Sequence, residues 1–354
     1  MILQFICKSC FEITVLRVLL VFLLVVASCC AGEPPAGPVQ SMLGPGGRLY
    51  RHGGFSVWEM GVGHERYQVF EPSQPEVARA GVVVLLHDWM TGNSGYYLGQ
   101  IRHLCRNGWI VVFPYYQAGG QIPRFFHANV ARSVKDFLQQ AFIRQKVEVD
   151  RERFAIIGHG AGAVMAANIA ASSDYFGLPV PKVLLLATPH PRSLKLLDLT
   201  GISRQTRLLV LSGDNVQEEV ALAAREIFYA ADRVKTENKV FVTVLSDFYG
   251  QPPLLADEYA PLSPELPEFA RFVVENRHDF VALFRERFHT KSLRINHIDA
   301  YDWNASFRLF DALSHATFTQ NTDLTAFKKS PELRFMGYWS DGKKLKGLIV
   351  SDRP

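Results

Sequence analysis

The chain has 354 residues, 48% of them hydrophobic and 20% charged, enough apolar material for a large core and too little charge for a disordered polymer. Lys plus Arg 38 against Asp plus Glu 34 leaves +4, with no long run of like charge, so no nucleic-acid partner is expected. At this length a single decorated domain is the expectation.

The amino terminus reads as an export leader. Lys8 and Arg17 precede an unbroken apolar run over residues 18–27, and Ser28, Cys29, Cys30 and Ala31 lead into a polar, Pro-rich stretch over 32–38. That is the charged, apolar, small-residue order of a secretion signal. The run falls short of the roughly 20 residues that cross a bilayer. The order Val26, Ala27, Ser28, Cys29 resembles the bacterial lipobox, whose Cys is lipidated after cleavage. Residues 1–31 are therefore expected to be a signal peptide or lipoprotein leader. Cys29 is the lipidation candidate, and ordinary cleavage after Ala31 is the alternative. The implied location is secreted or cell envelope, with a membrane surface as partner through the leader or its lipid. Four of the five cysteines lie in or beside the leader, which leaves Cys105 as a buried thiol and provides no disulfide framework.

Residues 32–53 are rich in Gly and Pro and read as a flexible linker, with the folded domain expected over 54–354. Short apolar runs follow at 55–60, 67–70, 81–86, 109–113, 153–157, 182–187, 207–211 and 239–245. Several are nearly continuous Val, Ile and Leu, the pattern of strands buried on both faces. Helical patterns at 95–106, 129–145, 161–171 and 216–231 lie between them. The alternation predicts a central, mostly parallel, eight-stranded sheet flanked by helices. Residues 262–296 read as a helical insertion, with its helix over 267–287, ahead of a C-terminal amphipathic helix carrying Trp303, Phe307, Phe310 and Leu313.

The most informative segment is 154–163, a strand that ends in Gly158, His159, Gly160, Ala161, Gly162 and opens a helix. Its position is that of the GxSxG nucleophile elbow, with Gly160 where Ser belongs. Together with His87-Asp88-Trp89 after the third run and Pro114-Tyr115-Tyr116-Gln117 after the fourth, this segment makes the chain resemble the α/β-hydrolase family. More narrowly, it is similar to a group of bacterial and plant hydrolase-like proteins with a GHSAG elbow. Residues 246–252 and 334–342 carry the same likeness.

The resemblance implies a Ser, acid and His triad, and this sequence departs from it at each position. The elbow holds Gly160, the GxxD acid position holds Val216, and the His region offers Tyr249 or Glu258, with no His between His190 and His278. Asp214, two positions early, is a substitute acid. Triad members act as a unit, so three coincident losses point to a non-catalytic protein. It would bind an unknown small molecule or protein partner at the cleft or at the insertion. The alternative is a hydrolase of a carboxylic ester or related acyl bond that uses non-standard residues.

Candidates for the cleft and its oxyanion side are His87, Asp88, Trp89, His159, Ala161, Tyr115 and Tyr116, with Tyr96, Tyr97, Phe125 and Phe126 flanking the mouth. Gly158, Gly160 and Ala163 also fit a dinucleotide fingerprint, but the turn follows a late strand and lacks the acidic partner. Neither a cofactor nor a metal is expected, because His87, His159 and Asp88 have no ligand spacing that specifies an ion. Asn304-Ala305-Ser306 is a glycosylation sequon.

Overall fold

The computed structural model describes residues 33–89, 91–117, 122–144, 147–192, 194–265, 298–320 and 322–354. The expected leader, including Cys29, and the expected insertion helix over 267–287 lie outside the described residues.

All eight apolar runs form strands: β1 (Gly54–Met60), β2 (Tyr67–Ser73), β3 (Arg79–Leu86), β4 (Trp109–Pro114), β5 (Glu148–His159), β6 (Val183–Ala187), β7 (Arg207–Gly213) and β8 (Lys239–Val244). A further strand, β9 (Ile349–Ser351), joins the edge, so the sheet has nine strands where eight were expected, in the order β1-β2-β4-β3-β5-β6-β7-β8-β9. The sheet is mixed. Strands β3 to β8 run parallel, whereas β1 with β2, β2 with β4, and β8 with β9 pair antiparallel. The reason at the first edge is connection length: residues 61–66 between β1 and β2 can close a hairpin but cannot carry the crossover that a parallel pair needs. The whole is a mixed nine-stranded sheet flanked by helices.

Alternate side chains of the central strands feed two cores. Val82, Val84 and Leu86 of β3 pack with α2 (Phe126–Arg144), α3 (Ala161–Ala171) and α4 (Glu218–Ala230). Val83 and Leu85 face the other layer, made by α1 (Leu98–Arg106) and α5 (Arg308–His315). Helix α3 is buried on every side from Ala161 to Ala170, which explains why its sequence is almost entirely small and apolar rather than amphipathic. Cys105 lies in the α1 core, its thiol pushed up by burial and facing the Phe70 carbonyl at 3.5 Å.

Residues 33–53, read as a linker, contain no helix or strand but are fastened along their length. Pro35 accepts from the Gln251 N–H at 3.0 Å, Gly46 donates to Asp311 at 2.8 Å, and Tyr50 meets His103 at 3.2 Å. The sequon is hidden: Asn304 is buried, with its amide donating to the Met336 carbonyl at 2.9 Å.

Candidate functional site: the elbow and the Asp88 network

The carboxyl ends of parallel strands gather their loops at one edge of the sheet, and here the loops after β3, β5 and β6 meet. Strand β5 ends at His159, Gly160 turns with φ +57° and ψ −120°, and α3 starts at Ala161. The elbow geometry predicted from the glycines is present. A Cβ on Gly162 would run into the carbonyl oxygens of Leu86 and His87, and one on Gly158 would strike the backbone of Gly162 and Ala163. These glycines let strand and helix approach closely.

Gly160 is constrained by something else. A Cβ built there would overlap the carboxyl group of Asp88, which comes from the β3 loop and fills the space where an elbow side chain would project. Asp88 Oδ1 accepts from the Ala161 N–H at 2.7 Å. In the elbow arrangement that amide, on the residue after the nucleophile, is one of the two oxyanion donors. Arg192, from the loop after β6, brings Nη2 to 3.9 Å from Asp88 Oδ2. Burial pushes the Asp88 carboxyl up, but His159, the N–H groups of Ala161 and Trp89, and Arg192 together outweigh it and hold the carboxyl below its usual range. The positive end of the α3 dipole acts in the same sense.

The backbone of Asp88 is held as firmly. Its N–H donates to the Tyr97 hydroxyl at 2.9 Å, and its carbonyl accepts from Thr91 N–H at 3.2 Å, Thr91 Oγ1 at 3.0 Å and His87 Nδ1 at 2.8 Å. A carbonyl only accepts, so the His87 proton sits on Nδ1. His87 is stacked on Tyr116 at 4.4 Å and Phe113 at 5.3 Å, and its Nε2 is buried without a hydrogen-bond partner among the described residues. Burial lowers its pKa to about 4, so the ring is neutral.

His159 is engaged through both nitrogens. Nε2 donates to the Glu258 carbonyl at 2.8 Å, and Nδ1 meets the Tyr97 hydroxyl at 3.0 Å. Tyr97 is thus the hub between the β3 loop and the elbow, and burial raises its pKa. The side chains read from the sequence as triad replacements are engaged in other contacts. Glu258 uses its carboxylate on the Gln217 N–H at 3.0 Å, at the start of α4. Asp214 accepts from Ser246 N–H at 2.8 Å and Oγ at 2.7 Å, tying the ends of β7 and β8 together. Val216 is half-buried just before α4. Tyr249 is exposed and bonded to Asp341 at 2.6 Å in the carboxy-terminal segment.

Of the cleft candidates, His87, Asp88, Trp89, His159, Ala161 and Tyr116 are brought together. Tyr116 donates to the His87 carbonyl, and Trp89 packs on Phe126 at 5.8 Å. Tyr115 lies elsewhere, under the Arg66 guanidinium at 4.3 Å, with its hydroxyl pushed up to about 12 by burial. Sequence reasoning missed Thr91, His190 and Arg192. His190 is buried, donates its N–H to the Gly160 carbonyl at 3.0 Å, and has its pKa lowered by burial and Arg192. The available signal was positional: His190-Pro191-Arg192 follows a central parallel strand, at the edge where sites assemble.

Chemically, the constellation holds a buried carboxylate on a backbone N–H. A pyrophosphate at this helix start would meet Asp88, which argues against the dinucleotide reading. Among the described residues, no group of three His, Cys, Asp or Glu is placed to hold a metal ion. Beside the acid position lies a cavity of about 20 Å³, lined by Thr188, Ser212, Gly213, Asp257 and Ser306, with room for about one water.

No family model matches the chain, and no curated protein matches it. Among solved structures, it is similar to a chain described in a structural analysis of two fungal esterases from Rhizomucor miehei. The match has 13% identity and a TM-score of 0.45, and covers 67% of this chain and 85% of that one.

Proposed function

We propose that this is an exported, membrane-tethered α/β-hydrolase-like protein that has given up acyl transfer and works by binding a ligand or partner. One observation carries the reading: the Asp88 carboxylate occupies the space above Gly160 and takes the Ala161 N–H. In an acyl-transfer enzyme that N–H must be open to the developing oxyanion, and a nucleophile must stand beside it. Here a fixed negative charge stands in both places, and a tetrahedral oxyanion would be repelled by it. His159 does not supply a base to an elbow nucleophile, because its nitrogens face Glu258 and Tyr97.

A second reading, a hydrolase using non-standard residues, has one observation in its favour: Asp88 is a carboxylate delivered to the nucleophile's place from another loop. The two are separated by turnover of short and long acyl esters by wild type, Asp88→Asn and Gly160→Ser. The binding reading expects all three at the level of a heat-unfolded control. Saturable hydrolysis by wild type that disappears in Asp88→Asn overturns it and makes Asp88 the nucleophile.

A further inference from the structure

We propose that the strap of residues 33–50 and the carboxy-terminal hairpin beside it form the face on which the protein lies against a lipid bilayer, with the strap's apolar side chains entering the headgroup region. This rests on the tethered reading above and adds which surface meets the membrane.

The strap carries an unusual set of exposed side chains. Val39 is 81% exposed, Leu43 68% and Leu49 66%, with Met42 beside them. A mobile polar linker would carry no such residues at a cost in solubility, and these are held in fixed places by the fastenings at Pro35, Gly46 and Tyr50. Leu49 donates its N–H to the Met42 carbonyl at 2.9 Å and Arg48 reaches the Met42 sulfur, so these side chains adjoin, and adjoining exposed apolar residues mark an interaction surface.

The surface continues onto the hairpin. Gly37 lies against the Trp339 ring, Pro38 packs on Gly337, and Ala36 and Ser340 exchange hydrogen bonds of 2.9 Å. Tyr338 and Lys344 face each other across an antiparallel bridge, and both are exposed. Trp339, between Tyr338 and Ser340, is buried, whereas Tyr338 is turned to solvent. Exposed Phe248 adjoins Tyr249, whose ring carries the Lys343 ammonium at 3.4 Å from its centre. Arg48, Lys343 and Lys344 are exposed among these apolar groups. Aliphatic and aromatic side chains interspersed with Arg and Lys suit a bilayer interface, where cations reach phosphates while rings and methyls enter the acyl boundary.

Chain length gives the occupant. Residue 35 sits on this face, and the apolar run of the leader ends at Ala27, eight residues earlier. Eight residues span at most ~29 Å. A lipid on Cys29, six residues before Pro35, therefore delivers this face, rather than the opposite side of the sheet, to the membrane.

The test uses the full chain with phosphatidylcholine vesicles, with and without phosphatidylglycerol, read by flotation and by hydrogen exchange. The expected result is flotation with slowed exchange confined to residues 36–50 and 336–346, stronger with the anionic lipid. The triple variant Val39→Ser, Leu43→Ser, Tyr338→Ser is expected to lower vesicle partitioning about tenfold or more. Its positions are exposed, so its melting temperature is expected to stay at the wild-type value. Flotation without protection of these segments keeps the tether and overturns the face. A chain that neither floats nor shows protection overturns both. Protection that depends on protein concentration without vesicles assigns the face to a second copy and also overturns the proposal.

Discussion

The elbow and the strap face are opposites in how they satisfy their groups. At the elbow, Asp88, Tyr97 and His159 are buried and each is answered by a neighbour from another loop, while buried His87 bonds the Asp88 carbonyl next to it and leaves Nε2 without a hydrogen-bond partner among the described residues. On the strap face, Val39, Leu43, Leu49 and Tyr338 project from a well-fastened backbone with little covering them. A region with its polar groups paired internally has little left to offer a ligand, whereas an apolar surface held in place is available for one. The place that looks like an active site is the better satisfied of the two.

The sharpest way to break this contrast is Gly162→Ala. The added methyl meets two backbone carbonyls that cannot move aside, so a loss of about 3 kcal/mol or more is expected in urea unfolding. A variant as stable as wild type would mean that the elbow is far looser than its packing indicates.

The next effect is pH dependence from His87. Its folded pKa of about 4 lies below the ordinary 6.5, so between these values the unfolded chain binds the extra proton. Stability is fully present above pH 6.5 and falls on acidification toward pH 4, with a slope approaching about 1.4 kcal/mol per pH unit. Chemical unfolding at a series of pH values checks this, and His87→Phe is expected to remove that part of the slope.

A cycle between Gly160→Ala and Asp88→Ala isolates the contact at the centre of the site. Gly160→Ala alone forces a side chain onto φ +57° and against the carboxyl, at a cost of about 2 kcal/mol. With Asp88 already removed, the same change is expected to cost measurably less. Equal costs in both backgrounds would place the Asp88 carboxyl elsewhere. At the small end, Tyr249→Phe removes an exposed hydroxyl from Asp341, and thermal melts are expected to coincide with wild type.

Much of the frame could be read from the residues. The continuous Val, Ile and Leu runs announced the central strands because a strand covered on both faces needs no polar alternation. The elbow was legible because glycine spacing records close backbone approaches directly. Strand β9 was not, since three residues with an exposed first position leave no periodicity to detect. Tyr115 was misplaced because adjacent residues leaving a strand point opposite ways, and Tyr116, not Tyr115, turned toward His87. Arg192 was missed because its partner Asp88 lies 104 positions earlier, and no local pattern links loops after different strands.

The sequence alone determined that position 160 carries no side-chain nucleophile, because glycine has no atom that can attack. It also settled that strand, turn and helix meet closely there, because only glycine permits that approach. Tertiary structure decided what fills the vacated space. Asp88 reaches Ala161 only because β3 and β5 are parallel neighbours whose ends coincide in register, Leu86 beside Gly158. Pairing of that kind is set by which strands adjoin in the sheet, and strand order is a property of the whole packed chain rather than of any local run of residues.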